Sequence, residues 1–321
     1  GGVTVVAGTG IETLTIAMAE DAGTVADAGA ASRVNIGGTG ADQVATVVAN
    51  GDVEVNLTGG GADLITDLNV TSTVASVVTV NSAGGMTDTI TGDANTTLEG
   101  LTSLVDFDGV TITGVAGVQG VGATADLSDV AAAITVAAGA AGSSLTVADG
   151  ASVTYLDTGA HILTATDDGD ATVATTQAVN VTLGADVTSI TTAVDATDGD
   201  DTIDTLNITA DVTQTGPTIL TSPTTVDINL SGAGDVNLGF TTGAGSTIDA
   251  SNMSGALTVS AFATLLEITG GSGDDNITAA TAEAFDLDGG LGDDTLTLAV
   301  DMSAGTFTGF EIMTGTGDFL A

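Results

Sequence analysis

The chain contains no cysteine, no lysine and no tryptophan, and Arg33, His161 and Tyr155 are each alone of their kind in 321 residues. Without cysteine there is no disulfide framework, no thiol nucleophile and no thiolate metal site. One histidine excludes the two-histidine helix of zinc proteases, the missing lysine excludes a P-loop, and no G-x-S-x-G elbow occurs. An enzyme is therefore not the expectation. A calcium-assisted lyase using Arg33, or hydrolysis by a pair of Asp residues, is compatible with the composition and has no positive support in it. Aromatics are nearly absent, with seven Phe and one Tyr. The core must then be built from Val, Ile, Leu, Ala and Thr methyls in thin layers, which suits a narrow solenoid or a flat sandwich. No apolar run is long enough to span a membrane. No leader opens the chain, and Gly1-Gly2-Val3 without Met reads as a processed or excised start.

Acid is what the chain has instead. Its 42 Asp and Glu residues give a formal charge of −41 and a pI near 4.1. Such a polyanion is repelled by nucleic acid and by anionic lipid surfaces. It also repels itself, unless cations or salt offset the charge. Surface solvation, as in salt-adapted proteins, is one account of the acids. The abundance of Asp beside Gly, where a loop ligand belongs, favours calcium. Disorder is not expected, because 43% of residues are apolar and the mean hydropathy is +0.43.

Two stretches carry the strongest pattern. Gly270-Gly271-Ser272-Gly273-Asp274-Asp275-Asn276-Ile277-Thr278 is repeated as Gly289-Gly290-Leu291-Gly292-Asp293-Asp294-Thr295-Leu296-Thr297. Both fit G-G-x-G-x-D-x-U-x, where U is a large apolar residue. Glycines permit positive φ and let carbonyls turn inward, Asp supplies a hard oxygen, and the apolar residue begins a strand with its side chain in the core. Asp275 and Asp294 lie 19 residues apart, about two nonapeptides, so one coil stacks the second Asp beside the first. The pattern also occurs at Gly37-Gly38-Thr39-Gly40-Ala41-Asp42, and at Thr58-Gly59-Gly60-Gly61-Ala62-Asp63, which departs only in its first Gly. Fragments recur at 84–90, 198–203 and 231–235.

These nonapeptides resemble those of the RTX family of secreted proteins, in its S-layer branch, and Ser246–Ala250 leading into Gly255–Val259 is similar to S-layer repeats. The resemblance implies a calcium-binding β-roll. Asp42, Asp63, Asp275 and Asp294 are the expected carboxylate ligands, with Asp274 and Asp293 beside them. Carbonyls are expected from Gly38, Gly40, Gly59, Gly61, Gly271, Gly273, Gly290 and Gly292. Oxygen ligands without Cys and with one His point to Ca2+ and away from zinc and copper.

The rest of the chain speaks a strand grammar. Period-two runs of Val, Ile and Thr occur at Val3–Ala7, Ile11–Met18, Val53–Leu57, Val110–Thr113, Leu145–Val147, Val179–Leu183, Val226–Leu230 and Leu257–Val259. Asn and Thr at alternate positions are placed to form ladders on an outward face. The sequons in these runs, Asn180 and Asn229 among them, reflect composition and do not read as glycan sites. Asn50-Gly51 is a hairpin signal, so 46–57 is either half a coil or an antiparallel hairpin. Leu127–Ala141 is Ala-rich, but Thr135-Val136 and its glycines argue against a helix. Pro217 and Pro223 mark an edge strand or a corner. His161 reads as a surface or half-buried structural residue, and Arg33 as the partner of a nearby carboxylate.

The expectation is an all-β chain, an elongated β-solenoid of the parallel β-helix or β-roll type with room for β-sandwich-like segments. Residues 1–216 and 217–321 form two repeat regions, with motifs at 37–66 and 270–297, or else one continuous array. The expected function is a secreted, calcium-stabilised structural protein assembling with copies of itself at the cell surface, as an S-layer or filament subunit. The expected partners are further copies and a cell-surface polysaccharide, with no nucleic acid. The alternatives are a segment of a large RTX adhesin and the calcium-binding export module of an exoenzyme.

Overall fold

The computed structural model describes residues 3–7, 13–19, 32–38, 43–50, 52–57, 65–82, 89–100, 111–113, 115, 117–121, 124–127, 130, 133–136, 142–166, 177–193, 202–241, 245–262, 265–279, 285–298 and 305–315. Among these residues there is no helix, and every strand pairing is parallel. The chain is a β-solenoid, divided into compact units at residues 1–137 and 138–321.

In the first unit one sheet is built from β1 (Val3–Ala7), β3 (Ser32–Gly38), β5 (Val53–Leu57), β7 (Ser76–Ser82), β9 (Thr96–Gly100), β11 (Gly117–Val121) and β13 (Ala133–Val136). The other holds β2 (Thr13–Ala19), β4 (Gln43–Asn50), β6 (Ile65–Ser72), β8 (Thr89–Thr91) and β10 (Thr111–Thr113). A further strand, β12, spans Thr124–Leu127. Consecutive strands thus alternate between sheets, and each strand pairs with the strand two places on. The register stacks Val78, Leu98, Val118 and Ile134 in one buried inward column. Asn50 ends β4, and β5 pairs in parallel with β3 and β7, so 46–57 is half a coil and not a hairpin. No β-sandwich-like segment occurs among the described residues.

The second unit repeats the scheme. Its odd sheet holds β15 (Ser152–Tyr155), β17 (Gln177–Leu183), β19 (Ile203–Ala210), β21 (Asp227–Gly232), β23 (Ser246–Met253), β25 (Leu265–Thr269), β27 (Asp286–Asp288) and β29 (Thr306–Thr308). Its even sheet holds β14 (Gly142–Ala148), β16 (Ala160–Thr166), β18 (Ser189–Ala193), β20 (Thr218–Thr221), β22 (Val236–Thr241), β24 (Leu257–Phe262), β26 (Asn276–Ala279), β28 (Thr295–Leu298) and β30 (Ile312–Gly315).

The alternation read from sequence is the reason. In β17, Val179, Val181 and Leu183 point in and are buried while Asn180 and Thr182 are half-buried on the outer face. Leu206, Ile228, Ile248, Ile268 and Leu287 stack as one buried column under the odd sheet, and Leu238, Val259, Ile277 and Leu296 as another under the even sheet. Branched aliphatics of similar size fill such columns without the bulk of aromatics, and each buried side chain contributes about 1.5–3 kcal/mol. Pro217 and Pro223 flank β20, which is paired with β18 and β22, so they mark corners rather than an edge. Both lie within the second unit.

Candidate metal centre at the stacked glycine corners

The two nonapeptides form corners joining the sheets. Residues 270–275 lead from β25 to β26, and 289–294 lead from β27 to β28. Because Asn276 pairs with Thr295 and Ile277 with Leu296, the corners lie one directly on the other. The backbone links them in turn: Leu291 N–H donates to Gly271 O at 2.9 Å, and Thr295 N–H to Asp275 O at 2.8 Å. Glycine is required by this contact. A Cβ on Gly290, which has φ 93°, would come 2.4 Å from Gly271 O, and one on Gly273 would come 2.6 Å from Gly255 O. Ile277 and Leu296, the apolar residues of the motif, are fully buried.

Asp275 and Asp294 are themselves buried, at 2% and 0% exposure. Their carboxylates belong to a ladder that the sequence reading did not anticipate. Leu257 N–H donates to Asp275 Oδ1 at 2.7 Å, Asp275 N–H to Asp294 Oδ1 at 2.7 Å, and Asp294 N–H to Glu311 Oε2 at 2.8 Å. Gly271 N–H donates to Asp275 Oδ2 at 2.7 Å. The same device holds other corners, as Ala256 N–H donates to Asp235 Oδ1 at 2.9 Å and Val77 N–H to Asp52 Oδ1 at 2.8 Å. At Asp93 burial works toward a higher pKa. The amides of Ser72 and Asn95 and the Thr96 hydroxyl outweigh it and hold the group below the ordinary carboxylate value.

The buried pair behaves in the opposite way. Burial pushes Asp275 up to about 6, against the amides of Leu257 and Gly271, and the charges of Asp294 and Asp274 add to the rise. Asp294 is raised by burial and then by Glu311, Asp274 and Asp288, with only the Asp275 amide opposing. Asp294 Oδ2 is buried with no hydrogen-bond partner. An oxygen in that position is satisfied by a proton or by a hard cation. These residues therefore fit calcium at the Asp294 corner, whereas both Asp275 oxygens already accept amides and offer only their second lone pairs. Among the described residues no group of three acidic or histidine side chains converges on one point. The remaining ligands of an ion here would be carbonyls, as the motif implies.

The other expected ligands divide. Asp274 and Asp293 are exposed, and Asp293 N–H donates to Asp274 Oδ1 at 3.0 Å. Asp42, Asp63, Gly40, Gly59 and Gly61 lie outside the described residues, as do the fragments at 84–88 and 198–201, while Gly38 ends β3. Arg33 on β3 is registered opposite Glu54 on β5.

His161 is not at the surface. It points inward from β16, 1% exposed, with Nε2 in contact with Asp157 Oδ1 at 2.7 Å and Nδ1 2.9 Å from Ser143 Oγ on β14. The Tyr155 ring stacks on it with centroids 3.8 Å apart. Burial lowers the His161 pKa and Asp157 opposes that shift, while burial raises Tyr155. Ser143 is 6% exposed, so this Ser-His-Asp line is closed to an outside substrate and serves as a polar plug in an aliphatic column.

The outward ladders expected from alternating Asn and Thr are present. Asn207 Nδ2 donates to Asn180 Oδ1 at 2.9 Å and Asn229 Nδ2 to Asn207 Oδ1 at 2.8 Å, across three successive coils. The chain matches no protein-family model, no curated protein and no solved structure.

Proposed function

We propose that this chain is part of a secreted, calcium-stabilised structural protein, resembling RTX-type S-layer proteins, that assembles with copies of itself at a cell surface. The observation that carries the reading is the buried Asp294 carboxylate, with one oxygen unpartnered, set beside Asp275 between two stacked G-G-x-G-x-D corners. Calcium supplies positive charge there. Asp294 would hold it by its unpartnered carboxylate oxygen and Asp275 through the second lone pairs of its oxygens, the glycine corner would admit carbonyls close to it, and Asp274, Asp288 and Glu311 add negative charge around it. A chain of charge −41 disperses in chelator and approaches its copies once cations lower that charge. The lattice or filament lies outside the cell, where calcium is abundant, and a cell-surface polysaccharide is its natural anchor.

The test is a calcium titration followed by light scattering, with magnesium as the control. Reversible growth in particle size at millimolar calcium, undone by chelator and only weakly by monovalent salt, is the expected result. A chain that binds calcium yet stays monomeric at high concentration points instead to a tether segment of an adhesin or an export module. A chain that binds no calcium in the presence of millimolar magnesium overturns the reading.

A further inference from the structure

The two sheets of the second unit differ in charge. The strands of the odd sheet carry Asp204, Asp227, Asp249, Glu267, Asp286 and Asp288. The nine strands of the even sheet carry no Asp, Glu, Lys or Arg at all. Strand propensity does not account for this, since the odd strands have the same parallel, alternating context. The even sheet shows Ser, Thr and Asn outward, and Thr297 and Thr314 bond each other at 3.0 Å between their hydroxyls.

A second observation falls on the same face. Among the described residues, the large apolar side chains that are exposed and point outward from a strand are Ile162, Ile219 and Ile312, at 43%, 38% and 48% exposure. All three belong to the even sheet. Ile219 is in register with Gly239 and lies over it, since a Cβ on that glycine would come 2.7 Å from Ile219 Cδ1.

We propose that the outer face of the even sheet is where a second copy of this chain docks, face against face. The inference rests on the self-assembly reading and names its interface. Of the second unit's two sheets, this is the one on which copies of a chain of charge −41 meet without opposed strand carboxylates. Nine strands about 4.8 Å apart and roughly 15 Å long offer about 600 Å² per copy. That gives about 1,200 Å² in total, at the lower end of specific interfaces. The Thr297 and Thr314 hydroxyls, already bonded to each other, lose little when water leaves. Exposed carboxylates at the flanking corners, Asp235, Asp274 and Asp293, form a rim that repels until cations bind, so calcium gates the contact.

The test compares the whole chain with three variants by analytical ultracentrifugation across a calcium titration, with circular dichroism to check the fold. Ile162→Asp/Ile219→Asp places carboxylates on the face. Ile162→Thr/Ile219→Thr removes the exposed apolar side chains without charge and suits the strand. Thr247→Asp adds a carboxylate to the odd sheet instead. The Asp pair is expected to need at least ten-fold more protein to associate in calcium, the Thr pair a few-fold more, and Thr247→Asp no more than the parent. If the parent assembles with calcium and both face variants assemble equally well, this interface is wrong while the self-assembly reading stands. If the parent stays monomeric, both fail. Retention on immobilised dextran, lost in the face variants while the parent stays monomeric, also overturns the proposal and assigns the face to a neutral polysaccharide.

Discussion

Replacing Asp294 by Asn separates a structural carboxylate from a metal-binding one. The folded-state value of about 6 for Asp275 lies above the ordinary 3.8, so the folded corner binds more protons than the unfolded chain between those values. Stability without calcium must then fall as pH rises through that window, and the loss is complete above about pH 6. The gap corresponds to an upper limit of about 3 kcal/mol at pH 7. Asp294→Asn keeps an oxygen for the Asp275 N–H and removes the neighbouring charge. In chelator at pH 7 it is expected to stabilise the corner by about 1–2 kcal/mol, and at pH 4.5 the gain should shrink. Asp275→Asn has a different outcome. Both Asp275 oxygens accept amides, from Leu257 and Gly271, so the new NH2 faces a donor and costs about 1–3 kcal/mol.

Hydrogen exchange at the amides of Asp275, Thr295 and Ile312 is the measurement, since these donate across the stacked corners. A global melt averages over coils that open separately. In millimolar calcium the parent should gain protection at these amides and Asp294→Asn should gain little. Equal destabilisation by Asp294→Asn at pH 7 and pH 4.5 in chelator would refute the reasoning, as would the two Asn variants behaving alike.

Two further outcomes follow from the same structure. The His161 value is lowered by burial, so its contribution is present above about 6.5 and lost as pH falls below it, opposite in sign to Asp275. Amide protection in β14 and β16 should therefore drop from pH 7.5 to 5 in the parent and stay level in the double variant His161→Leu/Asp157→Leu, which leaves no buried carboxylate without its partner, and a parent with no such drop refutes the assignment. Gly150→Ala, at φ 76° with no atom within 4 Å of the new Cβ, should cost roughly 1–2 kcal/mol. Gly290→Ala, with Gly271 O at 2.4 Å, should cost about 3 kcal/mol or more in denaturant titrations, and equal losses would mean the corner yields.

Much of this architecture was legible where local pattern and coil length coincide. Val3–Ala7 and Val53–Leu57 are strands with the bounds read from alternation. The 19-residue spacing placed Asp294 against Asp275 because it equals one coil there. Elsewhere coils differ in length, and in runs such as Ser189–Ala193 a single large residue, Ile190, marks the inner face among Ser, Thr and Ala, so the register signal is weak. Ile162 misleads in the same way: its neighbours His161, Leu163 and Ala165 point in, and the isoleucine points out. The amide-accepting role of the carboxylates left a faint trace, an acid just ahead of a strand at Asp52, Asp235, Asp275, Asp294 and Glu311.

That trace explains how so acidic a chain holds a fold. Each turn between sheets leaves amides without a partner in the ladder, and an unpaired buried amide costs about 1–3 kcal/mol. A carboxylate one coil away accepts such an amide with a stronger, charge-assisted bond. The cost is repulsion between successive corners. Where the acid is exposed, as at Asp52 and Asp235, water and salt screen that repulsion. Asp275 and Asp294 are buried, so solvent screens them little and a proton or a cation is what relieves the pair. The fold is therefore expected to depend on calcium at its buried corners and to be indifferent to calcium along most of the remaining ladder.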